Sequence, residues 1–248
     1  MPLPAKAFQR WLHEVAPKSS TADICRISGI KRTTLAQQLV RGKVAETTLV
    51  SISRAVRLSP LAALASFDSF AELAGQPLPP APAELVSQIA TMDLLRAVIS
   101  RSSPAYGGYG DHGSALTPPL SPAPHATSVR NWVEAIDDGE LRHRVSAATG
   151  VAPQNYSAQL TANRLSPELA LATARSAGIG FTGGLVATGL ITEAEAGWPP
   201  GARQSALDAL SDGDLTALAG ERLQALGKIL RRQEQEHAQT EKIWENLG

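Results

Sequence analysis

The densest group of side chains able to do chemistry lies between Pro17 and Lys43. Six residues of this segment are basic and one is acidic. A local excess of positive charge attracts anionic partners such as the phosphates of a nucleic acid. The whole chain of 248 residues is neutral, with 23 Lys and Arg residues against 23 Asp and Glu residues. This neutrality averages unlike parts, because residues 1–101 carry a formal charge of +5, residues 102–128 carry −1 and residues 129–248 carry −4.

Patterns typical of catalytic, metal or cofactor sites are weak. The single cysteine, Cys25, has no histidine at a ligand spacing, so we expect no zinc site. Gly178, Gly180 and Gly183 match the GxGxxG pattern of dinucleotide-binding turns, but they follow a helical pattern rather than a strand. No Ser/His/Asp or Ser/Lys constellation stands in a supporting motif. We therefore predict that the protein is not an enzyme and binds no metal or cofactor.

The composition also predicts a cytoplasmic protein. One cysteine excludes a disulfide framework and indicates a reducing compartment. The chain contains no run of about eighteen apolar residues, the length that a membrane-spanning helix needs. We expect no membrane partner.

The elements that must position the basic segment are predicted to be helices. Apolar residues recur every three or four positions in both halves, and alternating β-branched residues are scarce. Between the halves, residues 102–128 hold five Pro, four Gly and a single acid, Asp111. Such a segment buries too little apolar surface to offset its ordering entropy, which predicts a flexible linker. We expect an all-α chain with domains at 1–101 and 129–248 on either side of this linker.

The two halves resemble each other in sequence. A shift of 121 residues aligns residues 8–101 with the second half without a gap. The identical pairs fall at positions that shape a backbone, and they include Trp11 with Trp132, Gly29 with Gly150, Arg54 with Arg175 and Glu72 with Glu193. This pattern predicts an internal duplication. The alternative is a chance similarity between two Ala-rich helical segments.

Two short helices are predicted around the basic segment of the first half. The first covers residues 21–28, with N-cap candidates at positions 19–21. Gly29 can take the left-handed conformation that ends such a helix and turns the chain. The second helix covers residues 31–40 and ends at Gly42.

Over residues 5–70 the sequence resembles the lambda-repressor/Cro-like (Xre) helix-turn-helix family. The resemblance rests on the patterns Ile24-Cys25, Ser28-Gly29-Ile30, Thr34-Leu35, Arg41-Gly42-Lys43 and Ala55–Ser59. The family has a small residue four positions before the turn glycine, and Cys25 and Ser146 occupy that position in the two copies. The second helix is one residue longer than is usual in the family, which changes the expected rotation of residues beyond Gln38.

The resemblance implies that the helix starting near Lys31 lies in the major groove of double-stranded DNA. The base-reading residues would then be Arg32, Thr33 and Gln37, because Arg bonds bidentately to guanine and Gln to adenine. The phosphate contacts would come from Ser20, Thr21, Lys31, Arg41 and Lys43. The alternative is that these residues form only a solvated helix face.

The second copy keeps the scaffold positions but changes the exposed residues. Its candidate DNA contacts are Arg142, Gln154, Asn155 and Ser157, and Gln and Asn can still read adenine. It has lost most basic residues of the first copy, and acidic residues stand at positions 137, 138 and 140. Two interpretations remain open. The copy binds DNA with a different preference, or it is a degenerate copy that serves packing or partner contacts.

The last part of the chain predicts a long C-terminal helix over residues 212–247. Its apolar stripe suits packing within its own domain, and Ile243 and Trp244 form an end that could dock on a protein partner or on a second copy.

These features together predict a sequence-specific DNA-binding transcriptional regulator, with repression as the expected outcome. Two linked DNA-binding domains, here called readers, act like a dimer because the linker sets the effective concentration of the second reader. Two unlike readers prefer an asymmetric or two-part operator. A phage or prophage immunity repressor fits the family resemblance. The rival hypothesis is a protein-interaction scaffold, such as an antitoxin or assembly factor, and a third is an all-helical enzyme.

Overall fold

The computed structural model describes residues 2–102 and 118–245 of the chain. Within these ranges the prediction of an all-α protein is confirmed, because fourteen α-helices make up most of the structure. The other regular elements of this part are one 3-10 helix and one small antiparallel sheet.

Eight helical elements lie in the first half of the chain. They are α1 (Ala5–Val15), α2 (Thr21–Ser28), α3 (Arg32–Val40), α4 (Glu46–Ala55), α5 (Pro60–Ala65), the 3-10 helix (Asp68–Leu73), α6 (Pro82–Ser87) and α7 (Thr91–Ser102). The second half contains α8 (Ser128–Ile136), α9 (Leu141–Thr149), α10 (Pro153–Thr161), α11 (Pro167–Ala177), α12 (Thr182–Ala187), α13 (Ala202–Asp208) and α14 (Asp212–Glu245). The sheet pairs β1 (Leu3–Pro4) with β2 (Lys43–Val44). Strands of two residues are too short to show alternation, so the sequence did not predict them.

The α2–α3 pair forms where the caps and the turn glycine predict it. The Ser20 hydroxyl accepts a hydrogen bond from the Asp23 backbone N–H at 3.2 Å and starts α2 as its N-cap. Gly29 ends α2 in the left-handed conformation, with φ of 71°. Lys31 is the N-cap of α3, so the two helices are separated by a three-residue turn.

The chain divides into two compact units, and each unit takes segments from both halves of the sequence. The first unit comprises Met1–Gln88 and Pro122–Arg203, and the second comprises Ile89–Ser121 and Gln204–Gly248. The predicted domains at 1–101 and 129–248 are therefore not the two compact units.

The first unit joins the two halves through a buried carboxylate. Helix α6 packs on α8, and Glu84 of α6 is 1% exposed. Its Oε1 accepts a hydrogen bond from Trp132 Nε1 at 3.0 Å, and its Oε2 accepts one from the Ala81 N–H at 3.0 Å. Burial raises the pKa of Glu84, and these two hydrogen bonds oppose the rise. Gly184 of α12 leaves room for the Trp132 ring at the same joint.

Two ion pairs also join the halves of the first unit. Arg54 of α4 binds both carboxylate oxygens of Glu195, at 2.6 and 2.7 Å. Arg175 of α11 binds both carboxylate oxygens of Glu72. The facing guanidinium lowers the pKa of each glutamate. All four side chains are partly exposed, so each pair stabilises the fold by only about 0.2–1 kcal/mol.

The start of each half is fastened to the turn after its second short helix. In the first half, the Ala5 N–H donates to the Gly42 carbonyl at 3.0 Å, beside the β1–β2 sheet. In the second half, Asn163 adopts a positive φ of 49°, and its Oδ1 accepts from the Val129 N–H at 2.9 Å. A backbone hydrogen bond thus holds the start of the first half, and a side-chain hydrogen bond holds the start of the second half.

The second unit is built around α7 and α14, which pack on each other. Its buried core consists of Ile89, Leu94, Leu207, Leu215 and Ala219. The long C-terminal helix is confirmed as α14. The side chains of Ile243 and Trp244, the predicted docking end, lie outside the described residues.

The predicted linker is only partly described. Its residues 103–117, which include Asp111, lie outside the described part of the chain. Residues 118–128 differ from the expectation of a flexible segment, because they make specific contacts. Leu120 packs against the core of the second unit, and the Ser121 N–H donates to Asp93 Oδ2 at 2.8 Å. Farther along, the His125 N–H donates to the Ser128 hydroxyl at 2.7 Å, directly at the start of α8.

Candidate nucleic-acid interface

Helix α3 presents most of its surface to solvent. It packs on α2 and on β2, and Leu35 is its fully buried residue. Leu35 and the half-buried Gln38 and Leu39 anchor the helix, and most of its other residues are exposed. The same helix pair in the second half, α9 and α10, buries Tyr156 and Leu160 of α10.

The three predicted base-reading residues are all exposed on α3. Arg32 is its first residue, Thr33 follows, and Gln37 lies one turn beyond Thr33. Residues four positions apart share a helix face, so Thr33 and Gln37 point the same way. Among the described residues, Arg32 forms no ion pair, so its guanidinium is free to bind an external acceptor.

The basic side chains predicted to bind phosphate stand at both ends of α3. Lys31 lies at its start, and Arg41 and Lys43 follow its end. All three are exposed and have no carboxylate partner in the described part of the chain. At 1.5 Å of rise per residue, Lys31 and Arg41 are separated by roughly 15 Å along the helix. The structure therefore places positive charge at both ends of one exposed helix.

Ser20 and Thr21, the other predicted phosphate contacts, lie at the start of α2. Both are exposed, but the Ser20 hydroxyl is already bonded to Asp23, to which it donates at 2.6 Å. The carboxylate of Asp23 thus stands beside the position where a phosphate was expected. Its pKa is lowered by hydrogen bonds from Ser20 and Arg26, which keeps the group charged. Ser20 serves first as a helix cap, and Thr21 is the freer of the two.

The candidate residues of the second copy are placed differently. Gln154 and Asn155 are exposed on the first turn of α10, whereas Ser157 is half-buried. Arg142 is engaged by Asp137, with a nitrogen–oxygen distance of 3.4 Å. The second copy therefore exposes two amide side chains, but its candidate Arg142 is already paired with a carboxylate.

A second local ion pair reduces the charge of this copy further. Arg144 donates to Asp138 at 2.9 Å and to the Ser176 carbonyl at 3.0 Å. The hydrogen bond from Arg144 lowers the pKa of Asp138, so the pair stays ionised. Arg164, at the position equivalent to Lys43, is exposed and has no ion pair within the described ranges.

One exposed residue of α3 was not foreseen. Val40, its last residue, is 88% exposed beside Arg41. The helical period that buries Leu35 and half-buries Leu39 leaves position 40 off the packed face, so the signal was present in the sequence. An apolar side chain at this place can contact the methyl group of thymine.

The other candidate chemistry finds no support in the site. Gly178 ends α11, so a helix rather than a strand directly precedes the GxGxxG string. Cys25 is buried. No group of three or more His, Cys, Asp or Glu residues suited to a metal occurs among the described residues. The helices described are also too short or too polar for any of them to span a membrane.

Comparisons with protein-family models, with curated proteins and with solved structures find no match to this chain. The family resemblance of residues 5–70 therefore remains a prediction from the sequence.

Proposed function

We propose that the protein is a sequence-specific regulator that binds double-stranded DNA and represses transcription. The observation that carries this proposal is the exposed α3, which has unpaired cations at both of its ends in the described structure. The major groove is about 12 Å wide, so charges roughly 15 Å apart suit phosphates on its two edges. A helix between them would bring Arg32, Thr33 and Gln37 to the base edges.

We further propose that the chain is a tandem duplication of this reader. A shift of 121 residues carries the start of α3 at Arg32 onto the start of α10 at Pro153, and the start of α4 at Glu46 onto that of α11 at Pro167. Three pairs of left-handed positions obey the same shift, namely Gly29 with Gly150, Gly42 with Asn163 and Arg57 with Gly178. A chance similarity of two Ala-rich segments does not explain matching left-handed turns, since these are rare outside glycine.

The two readers would contribute unequally. The first copy supplies most of the affinity for phosphate, because the arginines of the second copy at 142 and 144 are held by neighbouring carboxylates. Gln154 and Asn155 of the second copy remain free to read adenine. An asymmetric, two-part operator follows from two such unlike readers. A phage or prophage immunity repressor, acting in the cytoplasm, is the biological role that fits.

The salt dependence of DNA binding tests this proposal. A neutral protein that contacts phosphates through Lys31, Arg41 and Lys43 should lose affinity with salt, with a slope of log K against log salt of about −3. Lys43→Gln should flatten the slope by about 1, whereas the matched control Lys228→Gln on α14 should leave it unchanged. A slope near zero for the natural protein would contradict DNA binding.

A protein-interaction module is the second candidate function. It is favoured by apolar side chains that the second unit leaves exposed, namely Met92, Ile99, Leu223 and Leu230. These could seat an antitoxin partner, an assembly partner or a second copy of the chain. The salt experiment separates the two functions, because a scaffold without phosphate contacts has no counterions to release.

A further inference from the structure

We propose that Arg54 and Arg175 are positioning residues that set the spacing at which the two helix pairs read DNA. The protein would then require two half-sites at one fixed separation, rather than tolerate a variable gap. This inference rests on the proposed function, and it deepens it by specifying the geometry of the operator.

The first argument is the reciprocity of the two ion pairs. Under the shift of 121 residues, Arg54 is the equivalent of Arg175. Each arginine reaches out of its own half and grips a glutamate of the other, Arg54 on Glu195 and Arg175 on Glu72. The two glutamates are not equivalent, because the shift carries Glu72 onto Glu193, which pairs with Arg203 instead. Equivalent arginines therefore join the two halves, each through a different position of the other half.

The second argument is how closely each arginine is coupled to its reading helix. Arg54 lies on α4, which packs on α2, and α2 packs in turn on α3. Arg175 lies on α11, which packs on α9, and α9 packs on α10. A displacement of one half would thus move a reading helix and break both ion pairs together.

The third argument is the bidentate geometry of the joint. Both nitrogens of the Arg54 fork hold Glu195, and its Nη2 also donates to the Leu190 carbonyl at 3.3 Å. Planar forks of this kind restrict orientation as well as distance. The buried contact between Glu84 and Trp132 adds a fixed point to the same unit. These contacts, together with the packing of α6 on α8, restrict the relative orientation of the halves.

The consequence for DNA follows from helical geometry. Each base pair inserted between two half-sites moves one of them by about 3.4 Å and rotates it by roughly 35°. A reader on a long free tether follows such a change, whereas a reader held by the joint cannot. Fixed spacing is therefore the property that distinguishes the joint from a free linker.

The test begins with selection of bound sites from a random DNA pool. The two half-sites recovered are then separated by one to five additional base pairs, and binding is measured for each duplex. We expect one inserted base pair to weaken binding of the natural protein by at least about tenfold, comparable with loss of one base-pair readout. Equal binding across the series, or recovery of a single half-site, would overturn the inference while leaving DNA binding intact. An absence of binding to any duplex would instead reject the proposed function.

Variants of the two arginines then test whether the ion pairs cause the spacing preference. Arg54→Gln combined with Arg175→Gln should narrow the preference for the original site from about tenfold to about threefold, because the two ion pairs are lost while the buried contact between Glu84 and Trp132 remains. The matched control Arg130→Gln breaks an ion pair with Glu134 inside α8 and should keep the tenfold preference. If the double variant keeps that preference as well, the arginines do not set the spacing.

Exchange of the two charges of one ion pair should restore the spacing preference. A role of the arginine in folding alone would not predict this restoration. Arg175→Glu alone places two glutamates face to face and should relax the spacing, and addition of Glu72→Arg should restore it. This pair is chosen because Glu195 also caps the Thr192 N–H at 2.8 Å, a bond that an arginine there would lose. Failure of the exchange to restore discrimination in a protein of normal helicity would count against the proposal.

Discussion

Arg32 is the residue on which the proposed base recognition most depends. It begins α3 in an exposed position, and no carboxylate of the described chain pairs with it. By contrast Arg26, one helix earlier, is also exposed but pairs with Asp23 at 3.3 Å. The two arginines carry the same charge, yet only Arg32 starts the helix that we place in the groove.

Arg32→Ala should weaken binding to the selected site by about 1–3 kcal/mol and abolish the preference at one base pair. The physical reason is loss of a bidentate bond to guanine. Quantitative binding to a set of single-base variants of the site measures both effects. Arg26→Ala is the control for loss of charge, and it should weaken all sequences slightly and equally. If Arg32→Ala does the same, Arg32 contacts a phosphate rather than a base.

The sequence could predict which side chains are exposed, but it could not predict which of the charged side chains form ion pairs. The helical period correctly left Arg32 and Gln37 on the solvent face. Arg142 was also a candidate DNA contact, but it forms an ion pair with Asp137. Whether two nearby charges meet depends on side-chain rotamers and on the turn between them. Neither is encoded in residue spacing.

Helix α12 is the element most sensitive to an added atom. A Cβ at Gly184 would come within 2.7 Å of the Trp132 ring and 3.0 Å of the Ala170 Cβ. Trp132 is 1% exposed, so the ring has little room to move away. The close approach of α8 and α11 to α12 therefore requires a residue without a side chain.

Gly184→Ala should lower the free energy of unfolding by about 1–3 kcal/mol, because the new methyl group overpacks the joint. Denaturant unfolding followed by circular dichroism measures the change. Gly220→Ala in α14 is the matched control, since a Cβ there meets nothing within 4 Å. That change should stabilise the protein by up to about 1 kcal/mol through helix propensity. Equal stability of the two variants would show that the α12 joint tolerates expansion.

The helices that frame the site could be predicted because their signals are local. The Ser20 cap, the Gly29 turn and the apolar spacing all lie within a few residues of the helices they define. The β1–β2 pairing could not be predicted, because Leu3 and Val44 are far apart in sequence and each strand has two residues. Signals within a few residues specify a helix, whereas the segment with which a strand pairs depends on the folded protein.

The whole molecule is arranged so that both compact units draw on both halves of the chain. Arg54 and Glu195 meet across 141 positions of sequence, which leaves no local pattern to detect. The Pro- and Gly-rich composition between the halves suggested two independent domains. The composition of that segment indicates how much entropy is lost when it is ordered. It does not indicate what the flanking helices pack against.

Cleavage of the chain between the halves tests this arrangement. A protease site inserted within residues 103–117 should yield two fragments that still elute together at the size of the intact protein. Each fragment supplies part of both units, so separation would expose the core around Trp132 and the core around Leu94. The uncleaved insertion variant is the control for the inserted sequence. Fragments that elute separately and keep their helicity would show that the halves are independent domains.

The hydrogen bonds that hold the start of each half differ in how readily a substitution can remove them. Between Ala5 and Gly42 only backbone atoms take part, and every residue type except proline carries the same N–H and carbonyl. The Val129 N–H depends on the Oδ1 of Asn163, which a single substitution removes. A single substitution at Asn163 can therefore remove the hydrogen bond that holds the start of the second half, whereas the equivalent hydrogen bond of the first half is lost only by substitution of Ala5 with proline. This difference would allow the second half to diverge in sequence more readily than the first.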